Sequence, residues 1–335
     1  MIEQLVEGFF LVTKEDLIFE VKGNVHPKER VIAYLRYVPC ETGDRIAANE
    51  IRYRKIYSLS ERELYLKENH QEYLWMDSIH GRILQSVRKS DIMFILDPVD
   101  RLRQFRDRGM HLTPLQKASV HLASLLVKNS QLSWDSLGVT GSQLSGLATL
   151  ESDIDLVVYG EKEGLEFYKA FSENFEKIPE ISRYSGKTLD DHVAFRWGSI
   201  SSKTKLREIE AGKMLQGLYK NYEFFIRIVK KSHETDYKYS DFEFENLGLR
   251  SVHCKISDNS SSIFTPCEYG VKCEELPNLT KLLSYRGRFT EHVRKGMIVE
   301  ARGRLESVST REKKGYFLQL VMGEDPNDIL IPIKE

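Results

Sequence analysis

The chain is poor in cysteine. It holds Cys40, Cys254, Cys267 and Cys273, with no Cys-x-x-Cys pair and no histidine at finger-like spacing. That argues against a structural zinc module and a disulfide framework, and leaves reduced thiols as the expectation. Long apolar runs are missing as well: nothing approaches the ~20 residues that a membrane-spanning helix needs. The opening MIEQLVEGFF carries acids where a secretion signal would carry Lys or Arg. A soluble, cytoplasmic protein is the reading. An excess of charge of one sign is absent too. The chain has 49 Lys and Arg against 50 Asp and Glu, so it exerts no global pull on nucleic acid and any basic surface must be local. There is no internal repeat and no low-complexity tract; SDNSSS at 257–262 reads as a loop.

What is present suits a protein with buried cores. Hydrophobic residues make up 41% and charged ones 30%, and 335 residues suggest two or three domains. Residues 9–57 read as β-rich, with runs at 17–21 and 31–38 flanking the turn-forming GNVHPKE. IRYRKIY at 51–57 places Arg52 and Arg54 on one face and Tyr53, Lys55 and Tyr57 on the other. That pattern fits an edge strand kept soluble by its charges better than a base-stacking surface. Residues 60–110 read as helical, with helices at 61–69 and 97–108, the second with Pro98 at its first position. Thr113-Pro114-Leu115-Gln116 has the form of a capping box. It opens a helix whose stripe is Leu115, Ala118, Leu122, Leu125 and Leu126, ending near Asn129; His121 on it has no evident partner.

The segment around which the rest is organised is 137–160, LGVTGSQLSGLATLESDIDLVVYG. An apolar run turns through Gly141-Ser142, passes Gly146, and re-enters an apolar run at Ser152-Asp153-Ile154-Asp155-Leu156. Strand alternation puts Asp153 and Asp155 on one face and Ile154, Leu156 and Val158 on the other. Two adjacent carboxylates are unfavourable unless a cation is expected, and hard oxygen ligands suit Mg²⁺ or Mn²⁺. The Gly-Ser turn can offer N–H groups and a hydroxyl to a phosphate.

Gly141-Ser142, Gly146 and Ser152-Asp153-Ile154-Asp155-Leu156 together resemble the signature of the polymerase-beta-like nucleotidyltransferase superfamily, with the spacing of its minimal nucleotidyltransferase branch. More loosely, the whole chain is similar to archaeal proteins predicted to be nucleotidyltransferases. The resemblance implies an α+β fold: a mixed sheet with flanking helices. It also implies a nucleoside triphosphate substrate, with Asp153 and Asp155 as metal ligands and Gly141, Ser142 and Ser152 near the nucleotide. The superfamily usually has a third carboxylate on a later strand beside the first pair. Glu223 is the candidate, opening the strand-like YEFFIRIV at 222–229; Arg227 on the same face would counter phosphate charge or pair with Glu223. Rivals are Asp241, Glu243 and Glu245, alternating in SDFEFEN. Glu at position 223 departs from the usual Asp, which leaves the third ligand open.

Flanking segments complete the outline. Leu165, Tyr168, Phe171, Phe175 and Ile178 form a helical stripe ended by Pro179. Residues 187–217 read as helical, bringing Lys203, Lys205 and Arg207 toward a triphosphate. From about 235 the chain changes character, with β-type runs at 249–256, 263–273, 282–289, 298–308, 316–322 and 329–333. That spacing suggests a small OB-like barrel. Residues 281–320 hold ten Lys and Arg against four Glu, and SYRGRF with Arg286 and Arg288 and ARGR with Arg302 and Arg304 put aromatic and basic groups on adjacent strands, as an RNA-binding barrel would. The expected layout is 1–110, a β-hairpin-rich then helical region; 111–235, the catalytic domain; and 236–335, the barrel. The expected activity is metal-dependent transfer of a nucleoside monophosphate to a hydroxyl, an RNA 3′ end first among acceptors. The alternatives are a non-catalytic nucleotide- or RNA-binding module, and an enzyme that nucleotidylates protein or acts as an antitoxin.

Overall fold

A computed structural model describes residues 5–108, 111–198, 200, 202–310 and 315–334. Met1–Gln4 of the acidic opening and Arg311, Lys313 and Lys314 of the basic stretch lie outside the described residues. The architecture is α+β, and the chain divides into two compact units that are not consecutive segments. Unit 1 comprises Met1–Asp77, Arg82–Pro179 and Tyr219–Tyr239; unit 2 comprises Ser78–Gly81, Glu180–Leu218 and Ser240–Glu335.

Unit 1 opens with β1 (Phe10–Thr13), β2 (Ile18–Val21), β3 (Arg30–Pro39), β4 (Arg45–Ile46) and β5 (Arg52–Lys55). Helix α1 (Leu59–Asn69) follows, capped by the Ser58 hydroxyl. Then come β6 (Leu74–Asp77), β7 (Arg82–Arg88) and β8 (Ile92–Leu96). They form one sheet in the order β4-β5-β3-β2-β1-β8, with β7 pairing both β3 and β6. The helices expected at 61–69 and 97–108 are present, but the stretch between them is three strands rather than helix. Its cross-strand pairs, among them Met76 with Ile83, leave apolar side chains on the exposed face, so neither period stands out in the sequence.

One irregularity in this sheet matters for the site. Ile18 pairs with Tyr37 but Phe19 pairs with Leu35, so Arg36 is the extra residue of a β-bulge. Ahead of the bulge Leu35 packs with Phe19, Val21 and Val31 in one core; beyond it Tyr37 packs with Phe10, Ile18 and Tyr53 in another. The bulge therefore moves the end of β3 to the other face.

Helices α2 (Pro98–Arg108) and α3 (Pro114–Ser130) lead into β9 (Leu137–Val139), α4 (Gly141–Ser145), β10 (Ile154–Tyr159) and α5 (Glu161–Asn174). The capping box of α3 is as expected: the Gln116 N–H donates to Thr113 Oγ1 at 3.3 Å, and the Thr113 N–H to Gln116 Oε1 at 3.1 Å. Helix α5 buries Gly164, Phe167 and Phe171, with Phe175 and Ile178 after it. The expected stripe is thus correct from Phe171 onward but out of phase before it, where Leu165 is exposed.

The chain then enters unit 2 with β11 (Ile181–Ser182), α6 (Gly186–Trp197), α7 (Lys203–Gly212) and β12 (Gln216–Tyr219), and returns to unit 1 with β13 (Tyr222–Val229). In unit 1, β13 runs parallel to β10, and β9 antiparallel on its other side. The rest of unit 2 is β14 (Phe242–Asp258), β15 (Cys267–Lys272), β16 (Leu279–Ser284), β17 (Ile298–Thr310), β18 (Tyr316–Met322) and β19 (Ile329–Lys334). The pairings run β14-β15-β16-β18-β17, β14 also pairs β17, and β16–β18 is the parallel pair. The sheet curls back on its first strand, as a small OB-like barrel does. Its apolar interior includes Leu189, Val193, Trp197 and Leu206 from α6 and α7.

Candidate active site

Asp153 and Asp155 stand at the start of β10. The register of the parallel pair sets their neighbours: Ile154 lies opposite Phe224, Asp155 opposite Phe225 and Val157 opposite Arg227. Asp155, Phe225 and Arg227 therefore share one face. Continuing that register puts position 223 beside Asp153.

The Gly141 turn is pressed against the Asp155 carboxylate. Gly141 has φ +64°, and a Cβ there would lie 2.1 Å from Asp155 Oδ2, so only glycine fits. The Thr140 N–H donates to the Asp155 carbonyl at 2.9 Å, and the Thr140 hydroxyl to the Gly8 carbonyl at 2.7 Å. Gln143 donates to Ser119 Oγ at 2.8 Å and to the Asp153 carbonyl at 3.4 Å, tying α4 to α3 and to the start of β10. The Ser152 hydroxyl accepts the Thr149 N–H at 2.9 Å, which holds the loop leading into the aspartates. The Ser142 hydroxyl differs from these: it is buried and has no hydrogen-bond partner among the described residues.

Burial pushes the Asp155 carboxyl up to about 7, and the neighbouring Asp153 charge adds to it against the opposing pull of Arg227, Lys55 and Arg36. A half-buried carboxylate beside a second, exposed one is a site that gains by taking a cation. Two hard oxygen donors suit Mg²⁺ or Mn²⁺ with remaining positions left to water and phosphate. The orphaned Ser142 hydroxyl is the kind of donor a bound phosphate would satisfy. These residues fit a metal-nucleotide. Among the described residues, however, no group of three or more His, Cys, Asp or Glu is arranged to hold a metal ion. Glu223 is exposed, and the residue opposite Asp155 is Phe225. Of the rival carboxylates, Asp241, Glu243 and Glu245 lie in unit 2.

Arg227 pairs with buried acids of the N-terminal sheet rather than with Glu223. Its Nη1 lies 2.8 Å from Glu20 and 3.2 Å from Glu7, two carboxylates with almost no exposure. Lys22 reaches the same two acids at 3.1 Å each, and Arg36 Nε lies 3.2 Å from Glu20. Burial alone would raise the Glu20 carboxyl, but Lys22, Arg36 and Arg227 overcome it and hold it well below the ordinary range. Sequence reasoning missed Glu7, Glu20 and Lys22. The available signal was an acid inside the apolar run LIFEV, which demands a buried cation. His121, read as unpartnered, is hydrogen-bonded to the Tyr219 hydroxyl.

Several of the basic residues expected elsewhere bond within unit 2. Lys205 donates to the Pro332 carbonyl at 2.9 Å, and Arg207 to Asp190 at 2.7 Å. Arg288 lies over the Trp197 ring at 4.9 Å and donates to the Arg196 carbonyl at 3.1 Å; burial lowers it to about 10. Arg304 is clamped by Glu306 at 2.7 Å and by Glu324. Arg286 packs over Gly323, and Arg302 is half-buried on β17.

Comparison with known proteins agrees with this geometry. Residues 125–212 match the family model described as a nucleotidyltransferase domain. Over that span the chain is similar to a nucleotidyltransferase domain. The match includes Gly141, Ser142 and both aspartates, and extends through α6 and α7. The chain is also 28% identical over 328 residues to the uncharacterised protein MJ1086 of Methanocaldococcus jannaschii, covering 92% of each. The similarity therefore takes in both β-rich regions as well as the domain. No solved structure matches. Among the described residues no helix is long and apolar enough to cross a membrane.

Proposed function

We propose that the protein transfers a nucleoside monophosphate from a nucleoside triphosphate to an acceptor hydroxyl and releases pyrophosphate. The acceptor oxygen loses its proton and bonds to the α-phosphorus while the bond from that phosphorus to the β-phosphate bridge breaks. Asp153 and Asp155 would hold Mg²⁺ or Mn²⁺, which supplies charge neutralisation on the triphosphate and acidifies the attacking hydroxyl. Gly141 gives the phosphates close access to the backbone, and the Ser142 hydroxyl donates to them. Thr140 and Gln143 fix the turn against β10, so the groups that meet the substrate are set before it arrives. The Glu7–Glu20–Arg227 network locks β13 beneath the aspartates. The observation that carries this reading is the Asp155 carboxylate pressed on the Gly141 turn, next to Asp153 and beside an unsatisfied serine hydroxyl.

The acceptor belongs to RNA, protein or a small molecule. RNA keeps less support than the sequence suggested, because Arg288 and Arg304 are committed to internal partners. A second reading, nucleotide binding without turnover, is favoured by one observation: Phe225 faces Asp155 where a third carboxylate would complete the set. Both readings are tested by incubating the protein with Mg²⁺, α-phosphate-labelled nucleotides, total RNA and total protein, and locating the label. Transfer that disappears in Asp153→Asn and Asp155→Asn, both still folded by circular dichroism, supports the enzyme. Tight nucleotide binding with label in no fraction supports the binding module.

A further inference from the structure

We propose that Lys55, on the N-terminal sheet outside the matched nucleotidyltransferase segment, binds the triphosphate tail of the substrate and so makes that sheet a wall of the active site. The inference rests on the proposed function above, and geometry carries it. The bulge at Arg36 sends Tyr37 to the face of β3 that bears Ile18. Tyr37 is directly opposite Lys55 in the antiparallel β3–β5 pair, so both side chains leave the sheet on that face. Tyr37 packs with Leu144 and Leu147 around α4, and its hydroxyl is hydrogen-bonded with Ser145, four residues beyond Gly141. Arg45 joins the same contact, donating to the Leu147 carbonyl at 2.6 Å. Across the face, Glu20 pairs with Arg227, the neighbour of Asp155 two residues along β13. The sheet is thus fixed to the phosphate turn at one end and to the aspartate strand at the other.

Lys55 is the cation this arrangement aims at the carboxylates. Its charge interacts with those of both Asp153 and Asp155. Among the described residues its ammonium has no ion pair or hydrogen bond; its close neighbour is the Tyr57 ring, 4.8 Å away. Arg36, Arg45 and Arg227 are each already bonded to protein oxygens. A half-buried ammonium held near two carboxylates, but bonded to neither, is placed for a polyanion that a metal would bring between them. The requirement is for phosphate charge, so the chemical class it selects is a nucleoside triphosphate over a monophosphate.

The test compares Lys55→Gln, Lys55→Arg and Arg54→Gln with the wild type by calorimetric titration. The ligands are a non-hydrolysable nucleoside triphosphate with Mg²⁺, the matching monophosphate, and Mn²⁺ alone; thermal unfolding verifies each fold. The expected result is that Lys55→Gln weakens triphosphate binding about tenfold or more, from the loss of one charge-assisted contact. Monophosphate binding should change little, Lys55→Arg should recover most of the loss, and Arg54→Gln, on the opposite face, should match the wild type. Mn²⁺ binding should stay unchanged or tighten in Lys55→Gln, because a competing cation is gone. Equal triphosphate affinity in wild type and a folded Lys55→Gln overturns the assignment of Lys55 alone. If instead Lys55→Gln weakens Mn²⁺ and triphosphate in parallel, Lys55 acts through the carboxylates and the proposal is overturned. A wild type that binds no triphosphate overturns the proposed function with it.

Discussion

At the scale of single residues, the site is a balance of like and unlike charge. Asp155 gives a direct test of that balance through pH. In the unfolded chain its carboxyl loses its proton near the ordinary value, whereas in the fold it keeps it up to about 7. Between those values the folded state binds more protons, so its contribution makes stability fall as pH rises from about 4 to about 7 and level off above. Urea denaturation across that range should show this slope in the metal-free protein, and Asp155→Asn should lack it. A slope unchanged in the variant would mean that another group is responsible. The proximity of the Gly141 turn to Asp155 was legible at the residue level, because Gly141, Ser142, Asp153 and Asp155 are local in sequence. Glu7 and Glu20 were not, since their partner Arg227 lies more than two hundred positions away. Lys55 was placed correctly on the face of Tyr53, but nothing local shows what that face meets.

At the scale of elements, legibility followed how strongly each element is determined by its own residues. Helix α3 carries its start signal in four consecutive residues and formed as read. Thr113→Ala removes one side of the capping box and should cost about 1 kcal/mol. The measurement is a lower urea midpoint at unchanged slope, and no shift would show that packing of α3 against α5 sets its start. Strands β6 to β8 were missed for the opposite reason. Met76, Ile83, Met93 and Phe94 are apolar yet exposed, so the alternation that betrays a half-buried strand is blurred. The bulge in β3 is a further feature no pattern announces: VIAYLRYV is a near-continuous apolar run with no break at Arg36, and only pairing with β2 makes Arg36 the extra residue.

At the scale of the whole molecule, the sequence read as three consecutive regions, while the structure shows two units through which the chain passes repeatedly. Each C-terminal run contributes to a strand, though the one at 263–273 is strand only from Cys267 and the one at 282–289 leaves its strand after Ser284 for a 3-10 turn at Gly287–Phe289. What pattern could not reveal is that α6 and α7 share their apolar core with those strands. Trp197 and Leu206 are buried there beside Phe289 and Leu282. A fragment of residues 240–335 lacks the Leu189, Val193, Trp197 and Leu206 contribution. Burying side chains of this size contributes roughly 1.5–3 kcal/mol each, so the fragment should lose cooperative unfolding and bind a hydrophobic dye. A cooperative, dye-free fragment would show that the strands are sufficient alone.

The central claim is that the two aspartates and the Gly141 turn together hold a metal-bound nucleotide. Electron paramagnetic resonance of Mn²⁺, titrated in the presence of a non-hydrolysable triphosphate, measures it most directly. Protein-bound Mn²⁺ should require the nucleotide for full affinity and be lost in a folded Asp155→Asn. Mn²⁺ bound equally by the wild type and Asp155→Asn would contradict it.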